Sequence, residues 1–268
     1  MSRKKKTIIT LLLIFVLVSC SKVPITNRRQ VNMLPESTLM SMSLTTYREF
    51  LKQNSPVPET DPNLQMIKRV GTNISKAVQA FLKKKGNTKR IKNYKWEFNL
   101  INDKVANAWC MPGGKVVFYT GILPITQDEA GVAVVMGHEI AHAIARHGNE
   151  RMSQQLLVAT GGIGLSLALK EKPKEMRDLF LSSYGIGSTL GVLKYSRTHE
   201  SEADKMGLVF MAMAGYDPEA AVRFWERMAA QSNAAQPPEF VSTHPSDERR
   251  IKDIKAFLPA AKKYYKPA

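Results

Sequence analysis

Cysteine is almost missing from this chain: 268 residues contain two, Cys20 and Cys110. A disulfide framework is therefore excluded, and stability must come from a core, a metal ion or both. Long apolar runs are missing too. The longest, Ile8–Val18 and Leu156–Leu169, fall short of the roughly 20 residues that cross a bilayer as a helix. A phosphate-cradling glycine loop is also lacking, since "GGIG" at Gly161–Gly164 has neither the full fingerprint nor a strand before it. Acidic residues are in short supply, 23 against 39 Lys and Arg, for a formal charge of +16. Such an excess raises nucleic acid or membrane surfaces as partners. The basic stretch Lys83–Lys95, however, holds one aromatic, Tyr94, and no stacking series. It reads as a solvated turn, and no nucleic-acid partner is expected. Internal repeats are absent.

What is present divides the chain in three. Residues 1–19 have a basic start, Arg3 to Lys6, and then the short apolar run, the plan of a signal peptide. "LVSC" at Leu17–Cys20 resembles a bacterial lipobox, which implies a lipidated Cys20 as first mature residue, with Ser21 after it favouring the outer membrane. The expected location is thus the periplasmic side of a bacterial envelope. Residues 20–60, with Pro24, Pro35, Pro56 and Pro58, read as a lipidated arm with one helix near Ser37–Leu51. Residues 61–268 are the expected catalytic domain. It opens on a helix whose apolar positions Leu64, Ile67, Val70, Ile74, Val78 and Leu82 keep helical spacing, with Asp61 as N-cap before Pro62. Three strand-like runs follow, Tyr94–Ile101, Val105–Met111 and Lys115–Thr120, with a turn at Pro112-Gly113-Gly114. From Gln127 onward the pattern is helical. The predicted fold is α+β, mostly α-helical, with a small antiparallel sheet. Cys110 reads as a bland buried thiol.

The chemistry concentrates in "HEIAH". His138 and His142 are four apart, so on a helix they share a face about one turn apart and two neutral imidazoles there can hold one zinc ion. Glu139 beside them can take a proton from a water next to the metal. His147 lies about 140° round the helix and is expected to point elsewhere, as a helix C-terminal residue with Gly148 ending the helix. Ala145 and Gly148 stand where the longer HExxHxxGxxH pattern needs glycine and histidine. The third ligand is expected from "HESEAD": Glu200 completes a His₂Glu site, and Asp204, one turn on, accepts a hydrogen bond from a ligand histidine. Glu202 falls about 200° from Glu200 and is expected in solvent.

HEIAH followed by "ESEAD" resembles the zinc metallopeptidases of the HtpX, BepA and CAAX prenyl protease group, a gluzincin-like fold. "VPITNRRQVNML" (with Asn27 where glycine is usual), "NAWCMPGGKVVFYTGIL" and "STHPSDERRI" resemble further stretches of the BepA-like members, in the same order. The resemblance implies one Zn²⁺ per chain held by His138, His142 and Glu200, with Glu139 as general base and Asp204 behind the ligands. It implies His244 and Arg250 near the open metal position, as oxyanion donors, or His244 as a latch. Gly114, Lys115, Val116 and Val117 are expected to form an edge strand that receives extended substrate. Unfolded or misassembled envelope proteins are the expected substrates, and a latched, chaperone-like assembly factor is the alternative. Oligomeric state is not specified.

Overall fold

The computed structural model describes residues 20–160, 173–184, 186, 196–232, 240, 244 and 248–267. The expected signal peptide, most of the apolar run Leu156–Leu169 and the end of the similar run Leu179–Leu193 lie outside the described residues.

Two short strands, β1 (Cys20–Lys22) and β2 (Arg29–Val31), pair antiparallel with Ser21 opposite Gln30. Helix α1 (Glu36–Gln53) follows, then α2 (Pro62–Lys84). Asp61 caps α2 as expected, its carboxylate accepting from the amides of Asn63 and Leu64. The residues read as an arm pack against the rest of the chain. Val23 is fully buried in the main core, and Gln30 donates to Ala145 O at 2.7 Å.

A three-stranded sheet comes next: β3 (Glu97–Ile101), β4 (Ala108–Met111) and β5 (Lys115–Tyr119). The sequence suggested an antiparallel meander, and the sheet is mixed. The turn at Pro112–Gly114 does fold β4 back on β5, with Cys110 opposite Val116. β3, however, pairs parallel with β5, Leu100 opposite Phe118, so the spatial order is β3-β5-β4. Lys115–Val117 is therefore central, bonded on both sides, and cannot be the free edge that was expected. Its composition explains this. "KVVFY" is a continuous run without polar alternation, the signature of a strand covered on both faces. Val116 and Phe118 face the main core while Val117 faces a second one with Trp109 and Met111. The edge near the following helices belongs to β4.

On the main-core side lie α2 and two long helices, α4 (Glu129–Ala145) and α7 (Arg197–Met213). α4 follows a short helix α3 (Leu123–Thr126). The other elements are α5 (His147–Thr160), α6 (Pro173–Ser183), α8 (Ala220–Ser232) and α9 (Glu248–Lys262). The second core fills the space between the sheet, α1, α5 and α6. Among the described residues no helix is long and apolar enough to cross a membrane.

Candidate metal centre

The site begins with how α4 starts and stops. Asp128 caps it by accepting from the Gly131 amide, and its residues are buried all round from Gly131 to Ala145. It ends at Arg146, in left-handed conformation with φ 64. His147 thus starts a new helix instead of closing the old one. α7 starts at Ser196, whose hydroxyl accepts from the His199 amide. The two helices cross at a pair of glycines. A Cβ on Gly137 would sit 2.9 Å from Gly207 O, and one on Gly207 would sit 2.9 Å from His138 N. Only glycine permits backbones this close. That approach sets the HEIAH face of α4 against the first turns of α7.

Four side chains then converge. His138 Nε2 lies 3.0 Å from His142 Nε2 and 3.1 Å from His244 Nδ1. Glu200 Oε1 lies 3.0 Å from His244 Nδ1 and 3.3 Å from His142 Nε2, and Glu200 Oε2 is 3.4 Å from His138 Nε2. The described residues bring this set of donors within 4.8 Å of one another, all buried. Four nitrogen and oxygen donors around zinc at about 2.0–2.1 Å would stand about 3.3 Å apart along the edges of a tetrahedron. The donor set and its spacing fit that ion, and zinc is this site's cofactor. Glu139 sits beside the set, with Oε1 buried, without a hydrogen-bond partner among the described residues, 3.4 Å from His244 Nε2.

Against its burial, Glu200 and Asp204 raise His138 to about 9, so without a metal this ring holds a proton that it must give up to act as a ligand. Burial pushes Glu139 up to about 8, with Glu200 adding and His138 and Arg250 opposing. Burial, aided by His138 and Arg250, brings His244 down to about 4, and it holds His142 well below its ordinary value. Those two rings are therefore neutral, as ligands must be. Burial also works against charge on Glu200, but His244, Arg250 and His138 overcome it and keep the carboxylate well below its usual range.

Around the donors sits a second set of contacts. Asp204 Oδ1 lies 2.9 Å from His138 Nδ1, the nitrogen turned away from the cluster. Arg250 binds Asp204 through Nε at 2.8 Å and Nη2 at 2.7 Å, reaches Glu200 Oε2 through Nη1 at 2.7 Å, and stacks 3.4 Å over Trp225. Its guanidinium is thus engaged with two carboxylates of the site, where an oxyanion donor had been expected. Arg249 is exposed beside it.

Two expectations fail here. His147 does not point away: it is fully buried, with Nδ1 2.9 Å from His142 Nδ1. Glu202 is not solvated. It accepts from Thr26 Oγ1 at 2.6 Å and Arg28 Nε at 2.9 Å, and lies 3.2 Å from His147 Nε2. The first reading assumed that one helix ran on through His147, and the second assumed that nothing covers the far face of α7. The break at Arg146 turns His147 back toward the site, and the arm's Arg28 supplies the cation that lets Glu202 be buried. Cys110 is a buried thiol, as expected, raised well above its ordinary pKa by burial and by Glu139.

Comparison with known proteins agrees with this geometry. The model of "Peptidase family M48" matches residues 72–258. Mitochondrial metalloendopeptidase OMA1 of Schizosaccharomyces pombe is 34% identical over 248 residues, 89% of this chain and 66% of the yeast protein. OMA1 of Saccharomyces cerevisiae is 30% identical over 263 residues, 94% of this chain and 73% of that protein. A putative beta-barrel assembly-enhancing protease of Vibrio cholerae is 35% identical over 160 residues, covering 58% of this chain and 33% of its own length. The expected bacterial-envelope location is thereby corrected. The relatives that match along nearly the whole chain carry mitochondrial names, whereas the bacterial protease matches over a shorter part. A lipobox is four residues long and carries less weight than about 250 aligned ones.

Proposed function

The chain belongs to peptidase family M48 and is a zinc metalloendopeptidase; from that premise we propose that it cleaves unfolded or misassembled proteins, with Glu139 as general base and His138, His142 and Glu200 as the metal ligands. The observation that carries this reading is the convergence of two imidazoles and one carboxylate from two helices beside a buried carboxyl held near neutrality. A bound zinc ion supplies Lewis acidity, polarising a scissile carbonyl and acidifying water. Glu139 takes the proton of the attacking water and returns it to the leaving amine. Asp204 fixes the tautomer of His138 and Arg250 orients Asp204 and Glu200.

The strand whose edge an extended substrate would pair with is β4, not Lys115–Val117. Recognition through main-chain bonds selects an unfolded segment over a particular sequence. The bacterial relative named for β-barrel assembly is in keeping with substrates caught during assembly.

One observation favours a resting, latched form. His244 occupies the position that a water or substrate oxygen needs, and Phe240, four residues earlier, donates its amide to Ala106 O at 3.0 Å, on the chain leading into β4. One segment thus covers both the fourth corner of the metal site and the approach to the edge strand. The latched form is a state of the peptidase; the chaperone-like alternative would make it permanent.

Casein digestion with added zinc tests the proposal. Glu139→Gln is expected to lose about 10²- to 10⁴-fold of the rate, the usual share of a general base. Equal digestion by wild type and Glu139→Gln would overturn it.

A further inference from the structure

The outer side of His142 is built by residues from the start of the chain. Arg28, between β1 and β2, holds two carboxylates at once. Its Nη1 and Nη2 each bond Glu150 at 2.7 Å, and its Nε bonds Glu202 Oε2 at 2.9 Å. Glu150 is on α5, Glu202 on α7, and Thr26 adds a third bond to Glu202. His199 Nε2 closes the ring, 3.0 Å from Glu150 Oε2, and its ring stacks on His147 with centroids 4.4 Å apart.

The hydrogen positions follow from one requirement. His142 turns Nε2 into the donor cluster, so that nitrogen must carry a lone pair and the hydrogen must sit on Nδ1. Its partner at 2.9 Å is His147 Nδ1, which must therefore accept. His147 then carries its hydrogen on Nε2 and donates to Glu202 Oε2 at 3.2 Å. The opposite placement would aim a lone pair of His147 at the Glu202 oxygen. Every member of the series is thus set by the carboxylate at its end, and that carboxylate is held by Arg28 and Thr26.

We propose that Arg28 is a positioning residue for the metal site: through Glu202 and His147 it fixes the tautomer and direction of His142. His138 has its orienting carboxylate, Asp204, in direct contact, whereas His142 reaches its own through a second imidazole. The N-terminal segment is in this way part of the peptidase, although no atom of it belongs to the donor cluster. The inference rests on His142 being a ligand, and the experiment separates the two claims.

Purified full-length chain would be titrated with zinc against a chromogenic chelator, as wild type and as Arg28→Ala, Arg28→Lys, Glu202→Gln and His147→Phe. Arg29→Ala is the control, an exposed neighbour that meets Arg28 through its backbone carbonyl alone, which the substitution keeps. Thermal unfolding of the metal-free forms and the visible absorption of the cobalt(II)-loaded forms would be read alongside. Arg28→Ala, Glu202→Gln and His147→Phe are expected to lose about 10- to 100-fold in zinc affinity, the range found for residues that orient metal ligands. Arg28→Lys should recover part of it, and the cobalt band should change where the affinity does. Unchanged zinc affinity and an unchanged cobalt band, with only a lower unfolding temperature, would make the segment a structural brace and overturn the proposal. Should Arg28→Ala fail to fold, Glu202→Gln and Arg28→Lys decide by the same criteria. A wild-type chain that binds no zinc would overturn the ligand assignment itself.

Discussion

His244 is the residue on which the proposed resting and working forms differ. In the proposed latched form its Nδ1 stands among the donors, where a water or substrate oxygen would bind, and its Nε2 lies 3.4 Å from the Glu139 carboxylate. If about one molecule in ten has the ring displaced at rest, removing it should raise casein cleavage about tenfold, since apparent activity scales with the competent fraction. His244→Ala is therefore expected to digest casein faster than wild type, with equal zinc content by metal analysis. A loss of rate at full zinc loading would instead make His244 a substrate-stabilising group. The principal donors were legible in the sequence because helical periodicity is local: four residues put His138 and His142 on one face, and four put Glu200 above Asp204. His147 and Glu202 were misplaced because their positions depend on events that periodicity does not contain. One is a single left-handed residue, Arg146, between two helices. The other is a half-buried cation that arrives from 174 residues away.

At the level of elements, the site is a crossing of α4 and α7, and the crossing is set by Gly137 and Gly207. A methyl group on Gly207 would lie 2.9 Å from the amide nitrogen of His138 and 3.0 Å from the Gly137 carbonyl carbon, both backbone atoms that cannot rotate away. Gly207→Ala is expected to destabilise the chain by about 1–3 kcal/mol, the range of an overpacked core. It should also weaken zinc binding, because Glu200 moves with α7 while His138 and His142 move with α4. Chemical denaturation and chelator competition on one preparation check both effects. The sheet shows a different limit of sequence reading. The three strands and the Pro112–Gly114 turn were visible as composition and punctuation, but the order β3-β5-β4 was not. A strand's partner is a long-range property, and adjacent strands in sequence pair often but not always. The clue was in "KVVFY", whose unbroken apolar run fits a central strand and not an edge.

For the whole molecule, residues 20–31 are a packed part of the structure. Burial works against charge on both acids, yet Arg28 with His199 draws Glu150 down to about 2, and His147 with Arg28 and Thr26 does the same to Glu202. Carboxylates with folded pKa values below their unfolded ones add stability above the unfolded value, near 4.5, and lose it as pH falls toward the folded value. Metal-free wild type should therefore lose thermal stability steeply between about pH 5 and pH 3. Arg28→Ala should start lower and show a flatter fall over that window, as measured by circular dichroism melts at each pH. Parallel curves would show that the pair contributes nothing to acid sensitivity. None of this was foreseen from the proline content of residues 20–60, which marks irregular backbone and says nothing about whether that backbone is packed.

The bond between Arg28 and Glu202 also sets a timetable. A ribosome makes the guanidinium early and the carboxylate more than 170 residues later, and Glu200 emerges just ahead of its neighbour. A nascent chain that stops anywhere before these acids has HEIAH but no acidic ligand and no clamp on His142. On the proposed roles of these residues, hydrolytic capacity is expected only once Arg28 and Glu202 have met.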